Sequence, residues 1–443
     1  MSRNSAGPSS GYLDLLRSNP HFTRLWVGQL VSQTGDWFNT VALFTLLLTL
    51  TGTGEAVGYV LILKLLPAFF VGPLAGVVAD RFSRKTIMIV ADVLRGIVVL
   101  GFLFLHSPDQ VWIVYTLAAL QVIGATFFDP AKSAAIPSIV SREQLLAANA
   151  LSGASWSVTL ALGAALGGAV TDAFGQDVAF VIDAASFFVS AAFIYFVRIG
   201  PPERNTTAGP SGRRLSLPDA IGLTDLIEGA RYLRSNPRIM ALLLVKSGWG
   251  LAGGVLLLLT IFGKQIFPLG RDGSTSIGLL YAARGVGALL GPIVARWTTD
   301  GSPRTMRRAI AISFFVSAGF YLLFSIAPGL GLAMLFVVGA HAGGSTQWVF
   351  STTLLQMAVP NRFLGRVFSI ELALVTLTMS LSTYLTGWML DDGGLTPRRV
   401  ASILGLAFLI PGICWLLIQG RMNRGETRFE LEAKPVAGSI PQA

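Results

Sequence analysis

The sequence predicts an all-α polytopic membrane protein of twelve transmembrane helices, arranged as two pseudo-symmetric six-helix bundles. Three observations carry that prediction: the composition, a succession of apolar windows long enough to cross a bilayer, and an internal repeat. Of the 443 residues, 53% are hydrophobic and 13% charged. With a mean hydropathy of +0.65, the chain is too apolar for a soluble fold of this length.

Apolar stretches of about 18 residues or more, the length that crosses a roughly 30 Å hydrocarbon core, recur along the whole chain. They fall at 24–50, 57–79, 86–106, 110–128, 151–172, 178–197, 239–262, 275–295, 309–327, 331–353, 367–390 and 399–419. Residues 1–20 are polar, and the first apolar window is too long for a signal-peptide core, so the first helix is expected to serve as the targeting signal. The expected organisation is an N-terminal tail (1–23), a first bundle (24–197), a linker (198–238), a second bundle (239–419) and a C-terminal tail (420–443).

The net charge is +10 and the isoelectric point about 10.1. In a soluble protein that would point to nucleic acid, but the placement of the basic residues points elsewhere. With the N-terminus in the cytoplasm, 25 of the 33 Lys and Arg fall in the tails and the cytoplasmic loops. Lys264, Arg271, Arg398 and Arg399 fall outside, and Lys64, Arg95, Lys246 and Arg284 within spans. This is the positive-inside bias of an even number of spans with both termini cytoplasmic in the cell membrane, so the bilayer is the expected partner and nucleic acid is not. The single cysteine, Cys414, excludes an intramolecular disulfide and a Cys-rich metal site.

Leu16-Arg17-Ser18-Asn19-Pro20 recurs as Leu233-Arg234-Ser235-Asn236-Pro237, just before each bundle begins. Gly58, Lys64 and Gly72-Pro73 are echoed by Gly278, Arg284 and Gly291-Pro292, and Ile136-Pro137 with Arg142 by Val359-Pro360 with Arg362. The offset is roughly 220 residues throughout. An even number of helices per copy makes the repeats parallel, an arrangement that places a substrate site between the halves near the midplane. The linker carries Pro201-Pro202 and Arg213-Arg214, and Thr224 to Arg234 reads either as a short amphipathic surface helix or as solvated linker.

After the second window stands Gly76-Val77-Val78-Ala79-Asp80-Arg81-Phe82-Ser83-Arg84-Lys85. It resembles the signature loop of the major facilitator superfamily, Gly-x-x-x-Asp-Arg-x-Gly-Arg-Arg/Lys, with Ser83 in place of the second glycine. The resemblance implies a conformational latch made by Gly76, Asp80, Arg81, Arg84 and Lys85. The matching loop of the second half keeps Arg304, Arg307 and Arg308 without the ordered pattern. Gly163-Ala164-Ala165-Leu166-Gly167-Gly168 looks like the Gly-Pro-x-x-Gly-Gly element of the antiporter branches, with Ala164 replacing proline; small-residue helix packing by Gly163, Gly167 and Gly168 is the alternative reading. Phe127-Phe128-Asp129-Pro130-Ala131, Ala148-Asn149-Ala150 and Ala179-Phe180 through Ser186-Phe187 resemble the bacterial branch containing macrolide efflux proteins and the enterobactin exporter. The resemblance implies proton-coupled efflux of a bulky organic small molecule by a secondary-active, monomeric carrier, with uptake by symport and lysolipid flipping as alternatives. The sequence holds no His-Glu-x-x-His, Gly-x-Ser-x-Gly or Walker loop, so no enzyme, cofactor or metal is expected.

An ionisable side chain within a span costs at least about 2.5–3.5 kcal/mol, which makes each one a functional candidate. Asp36 lies deepest, and burial in a low dielectric favours the neutral acid. It is either a proton carrier or permanently paired with a cation of another helix. Glu371 is the second proton-coupling candidate. Gln33, Trp37 and Asn39 share the depth of Asp36 as cavity candidates. Lys64 and Arg284 either receive an anionic substrate group or balance buried acids. Asp92 and Arg95, three apart on one helix, are expected to satisfy each other. Trp156 and Trp249 are either cavity lining or core, whereas Trp26, Trp112 and Trp297 are expected at the membrane interfaces. His341 is either titratable or a packed helix contact.

Overall fold

The structure, a computed structural model, describes residues 12–64, 66–199 and 223–432. In chain order the helices are α1 (Tyr12–Ser18), α2 (Pro20–Thr51), α3 (Gly54–Leu63), α4 (Leu66–Arg81), α5 (Arg84–Leu100), α6 (Val111–Ile139), α7 (Arg142–Phe174) and α8 (Gln176–Tyr195). After the linker come α9 (Leu223–Ser235), α10 (Pro237–Gly250), α11 (Val255–Ile261), α12 (Ser274–Trp297), α13 (Pro303–Ser325), α14 (Leu330–Ala358), α15 (Asn361–Leu390), α16 (Pro397–Ala407) and α17 (Leu409–Glu432). No strand occurs among the described residues.

Nine stretches among the described residues are long and apolar enough to cross a membrane. The other three windows lie on α2, on the broken pair α3–α4 and on α14. The pair α3–α4 is split into helices of 10 and 16 residues, and the hydropathy of α2 and α14 is lowered by polar side chains that the protein itself buries, among them Gln29, Ser32 and Asn39 on α2 and His341 and Gln347 on α14. A helix can carry such residues across a bilayer when they face protein rather than lipid.

The repeated Leu-Arg-Ser-Asn-Pro is a joint used twice. Asn19 accepts the Phe22 N–H at 3.0 Å, and Pro20 takes the first position of α2, where no N–H is missed. The second copy also ends a helix, α9, and opens the next, α10, on Pro237, but there the Asn236 amide donates back to the Tyr232 carbonyl at 2.8 Å. Serines start two further helices at matched positions: Ser83 accepts the Thr86 N–H at the head of α5, and Ser302 the Thr305 N–H at the head of α13. Ser83, the departure from the signature loop, is therefore a helix cap. In the second loop Asp300 turns back on its own chain, and the Thr305 hydroxyl, with the Ser302 N–H, holds its carboxyl down at about 2.

Linker helix α9 forms where the amphipathic segment is predicted. It docks on the start of α15, with Tyr232 stacked on Phe363 at 4.3 Å and Glu228 2.7 Å from Arg366. The Pro- and Arg-rich part of the linker lies outside the described residues.

The two halves meet along two helix pairs, α7 with α12 and α3 with α15. A Cβ on Gly168 would stand 2.7 Å from the Ser274 carbonyl oxygen, and one on Gly278 2.5 Å from that of Ala164. At the other pair, a Cβ on Gly387 would stand 3.2 Å from Glu55 Cα. Gly163 and Gly167 instead seat α7 on α2, against Trp37 and Phe38. One end of the bundle is held shut by two matched carboxylates. Asp172, at the end of α7, accepts from the Arg271 N–H and from the Thr275 hydroxyl at 3.0 Å. Asp391, at the end of α15, accepts from the Glu55 N–H at 2.7 Å and the Gly54 N–H at 3.4 Å. Asp391 caps the N-terminus of α3, where the helix dipole favours negative charge, and Asp172 holds both the turn that leads into α12 and that helix's first turn. The two lie at the repeat offset of roughly 220 residues.

Removing both acids is expected to loosen this end. In a Cys414→Ala background, a cysteine at Phe44, which is 0% exposed and packs on Tyr281, should react with maleimide several-fold faster in Asp172→Ala/Asp391→Ala than with both acids present. Equal rates would mean that the carboxylates do not hold the end shut.

Candidate functional site

A cavity of about 590 Å³ opens among α2, α5, α6 and α7, with Leu372 of α15 reaching it from the other half. It extends from Thr40 and Lys64, on the side of the closed end, to Gln29 and Asp129. Of the predicted residues, Gln33, Asp36, Trp37, Lys64 and Trp156 line it together. They come from three separate helices, and the walls combine indole faces with amide, carboxylate and ammonium groups.

Asp36 is paired. Both of its oxygens accept from Arg95 Nη2 at 2.9 Å, and Gln121 Nε2 approaches Oδ1 at 3.4 Å. The Asp36 side chain is 34% exposed and that of Arg95 9%. The expected Asp92–Arg95 pair is the weaker contact, at 3.8 Å. The difference has a steric reason: the arginine extends across Gly124, where a Cβ would stand 2.7 Å from Arg95 Cγ. Its guanidinium, over the Phe187 ring at 4.1 Å, thus reaches α2, where Asp36 offers it both oxygens. Asn39 does not line the cavity; its Nδ2 donates to Asp183 Oδ2 at 2.7 Å.

Lys64 donates to the Thr40 hydroxyl at 2.8 Å and lies over the Phe44 ring at 5.6 Å, with no carboxylate within salt-bridge distance among the described residues. Its repeat partner Arg284 rests on aromatic faces, 5.6 Å from the Trp156 ring and 6.0 Å from that of Tyr281. Glu371 is locked to Lys246 at 2.7 Å, with side chains 4% and 6% exposed, and Lys246 lies 4.6 Å from the Trp348 ring. Trp249 packs edge-on against that ring at 6.2 Å, on the core side of the alternatives. His341 is buried and shares a 3.0 Å hydrogen bond with Tyr321. Trp112 and Trp297 are exposed as interface residues are, whereas Trp26 donates to Ser155 Oγ at 2.8 Å.

Within the signature loop, Arg84 donates to the Ala134 carbonyl at 2.9 Å and Lys85 to that of Tyr195. Both contacts stay inside the first half. Gly76 sits within α4. The side chains of Asp80 and Arg81, like those of Arg142, Asn149 and Arg362, lie outside the described residues.

Breaking a buried ion pair strands its partner, whereas removing both charges does not. Lys246→Met is expected to destabilise the protein by about 3–5 kcal/mol, and Lys246→Met/Glu371→Leu to recover most of that loss, measured by unfolding in detergent. Additive losses would dissolve the pair as a structural unit.

The sequence model of the Major Facilitator Superfamily matches residues 25–370. The chain is 27% identical to the uncharacterized MFS-type transporter YfiS of Bacillus subtilis, over 92% of this chain and 93% of that one. It is 26% identical to macrolide efflux protein A of Streptococcus pyogenes, over 88% and 95%. It is 25% identical to the enterobactin exporter EntS of Shigella boydii, over 93% and 95%. The fold is similar to that of the crystal structure of the nucleoside transporter NupG, with a TM-score of 0.69 at 12% identity, covering 90% of this chain and 98% of that one. With two packed helical halves, an internal cavity and a family match over most of its length, the chain belongs to the Major Facilitator Superfamily of transporters.

Proposed function

We propose that the chain is a monomeric, secondary-active exporter of the cell membrane, driven by protons, that moves a bulky organic molecule by alternating access between two six-helix halves. The observation that carries this reading is the cavity: about 590 Å³, within the range of drug-sized sites, amphipathic, and shut at one end by paired contacts. The positive-inside bias makes the shut end the outer face and sets both termini and the linker in the cytoplasm. The cavity would then load from the cytoplasm, as export requires. Similarity to a macrolide efflux protein and to an enterobactin exporter supports the direction and suggests macrolides and siderophores as the first substrates to try. Trp37 and Trp156 would stack on the substrate while the Asp36–Arg95 pair and Lys64 meet its polar groups. The loop with Gly76, Asp80, Arg81, Arg84 and Lys85 would latch the opposite conformation, and Gly168 would let the halves rock closely while Gly163 and Gly167 keep α7 seated on α2.

Everted membrane vesicles incubated with a panel of macrolides and siderophores test the reading. One compound is expected to accumulate under an imposed pH gradient and to stop when a protonophore collapses it. Accumulation indifferent to the gradient would remove proton coupling, and uptake of none would remove the substrate class. In the same assay Asp80→Asn is expected to slow turnover severely with little change in apparent affinity, and normal turnover would leave the loop a topology anchor only.

A further inference from the structure

Three carboxyls in the first bundle share two cations. Asp36 and Asp92 both lie on Arg95, and Lys64 feels Asp36 and Asp183 without touching either. Asp183, on α8, is 0% exposed and has no cationic nitrogen within 4.0 Å among the described residues. Its Oδ2 accepts from Asn39 Nδ2 at 2.7 Å. Its Oδ1 has no hydrogen-bond donor, and neither has the Asn39 side-chain oxygen. Two acceptors are thus stranded in one buried pair, which is the costly arrangement for polar groups out of water. Turning the Asn39 amide over does not help: it sets oxygen against carboxylate oxygen at the same short distance. A proton on Asp183 relieves this, since it cancels a buried charge and turns the stranded Oδ1 into a donor. Gly35 leaves room for this turn of α8: a Cβ there would run into Ser186 Oγ and stand 2.7 Å from Asp183 Oδ1.

The elements packed on α8 are α2, α5, α7 and the 3-10 turn Gly101–Phe104, which carries no charge. The charges that face Asp183 are Asp36 from α2, Arg95 from α5 and Lys64 from the end of α3; α7 adds none among the described residues. We infer that Asp183 holds a proton in this conformation and is the carboxyl that the coupled proton occupies during transport. This rests on the reading of the chain as proton-coupled. Asn39 is three residues beyond Asp36, so the proton sits about one helical turn from the cavity's ion pair. Losing it makes Asp183 a third anion acting on Arg95 and Lys64, which competes with Asp36 for Arg95 and ties the charge of one buried acid to the wall of the cavity.

The test is infrared spectroscopy of the purified full chain in nanodiscs, followed through a pH titration. At neutral pH the carbonyl stretch of a protonated carboxyl is expected in the wild type, in Asp36→Asn and in Asp92→Asn, and is expected to vanish in Asp183→Asn. Asn39→Leu keeps the carboxyl but removes its donor, and should shift the band to higher frequency. Persistence of the band in Asp183→Asn, or its loss in Asp92→Asn with retention in Asp183→Asn, overturns the assignment. In everted vesicles Asp183→Asn should lose gradient-driven accumulation while keeping substrate exchange within a few-fold of wild type, and full gradient drive overturns the coupling role. Indifference of the wild type to the gradient defeats the proton-coupled reading and the coupling role with it, whereas the band reports the proton on Asp183 independently of transport.

Discussion

A charge inside a bilayer-spanning helix has to find its partner within the protein, and that requirement organises this chain. Hydrocarbon and protein core are equally apolar, so burying a leucine gives little reason to prefer one over the other. Polar contacts and close packing choose the inward faces instead. Asp36 and Arg95 bind α2 to α5, Lys246 and Glu371 bind α10 to α15, and Asn39 and Asp183 bind α2 to α8. Each contact joins helices far apart in sequence and fixes which side of each faces the interior. The windows of lowest hydropathy follow from the same cause, because α2 and α14 carry polar residues on their buried faces.

Close packing does the rest, and here the duplication is visible in three dimensions. Gly168 and Gly387 occupy equivalent positions, each at the crossing with a helix of the opposite half, and Asp172 and Asp391 follow them by the same number of residues. Ser83 and Ser302 cap matching helices. The scaffold contacts have stayed symmetric while the chemistry has diverged. The first half lines most of the cavity. The second half closes its own polar groups upon one another, Lys246 on Glu371 and Tyr321 on His341.

The fold is legible in the sequence because its signals are periodic or repeated: apolar length, the Leu-Arg-Ser-Asn-Pro joint and the signature loop each act locally. The cavity is legible in part, since depth along a helix can be counted, and this brings Gln33, Asp36, Trp37, Lys64 and Trp156 together. Partner choice is not. Local spacing assigns Arg95 to Asp92, but a long side chain crossing a glycine reaches a neighbouring helix, and no count along α5 reveals that. Counting along α8 sets Asp183 near one membrane face and gives it no distinction, because its significance lies in what Asn39 fails to give it. The paired acids Asp172 and Asp391 are within reach of the sequence, by laying one half of it on the other.

The contacts also differ in how easily they part. Within each half the Lys246–Glu371 pair and the Asn39–Asp183 bond are buried, so opening them would strand charges or acceptors in a low dielectric. Between the halves, the carboxylate caps at the closed end involve partly exposed backbone N–H groups, which water can satisfy as the caps release. The glycine crossings bring backbone close to backbone. Strong bonds inside each bundle and replaceable ones between them would let the halves move as rigid bodies about a shared seam, as the proposed cycle requires. That division of contact strength is what a carrier with its site between the halves needs, and it supports the rocking motion proposed for this chain.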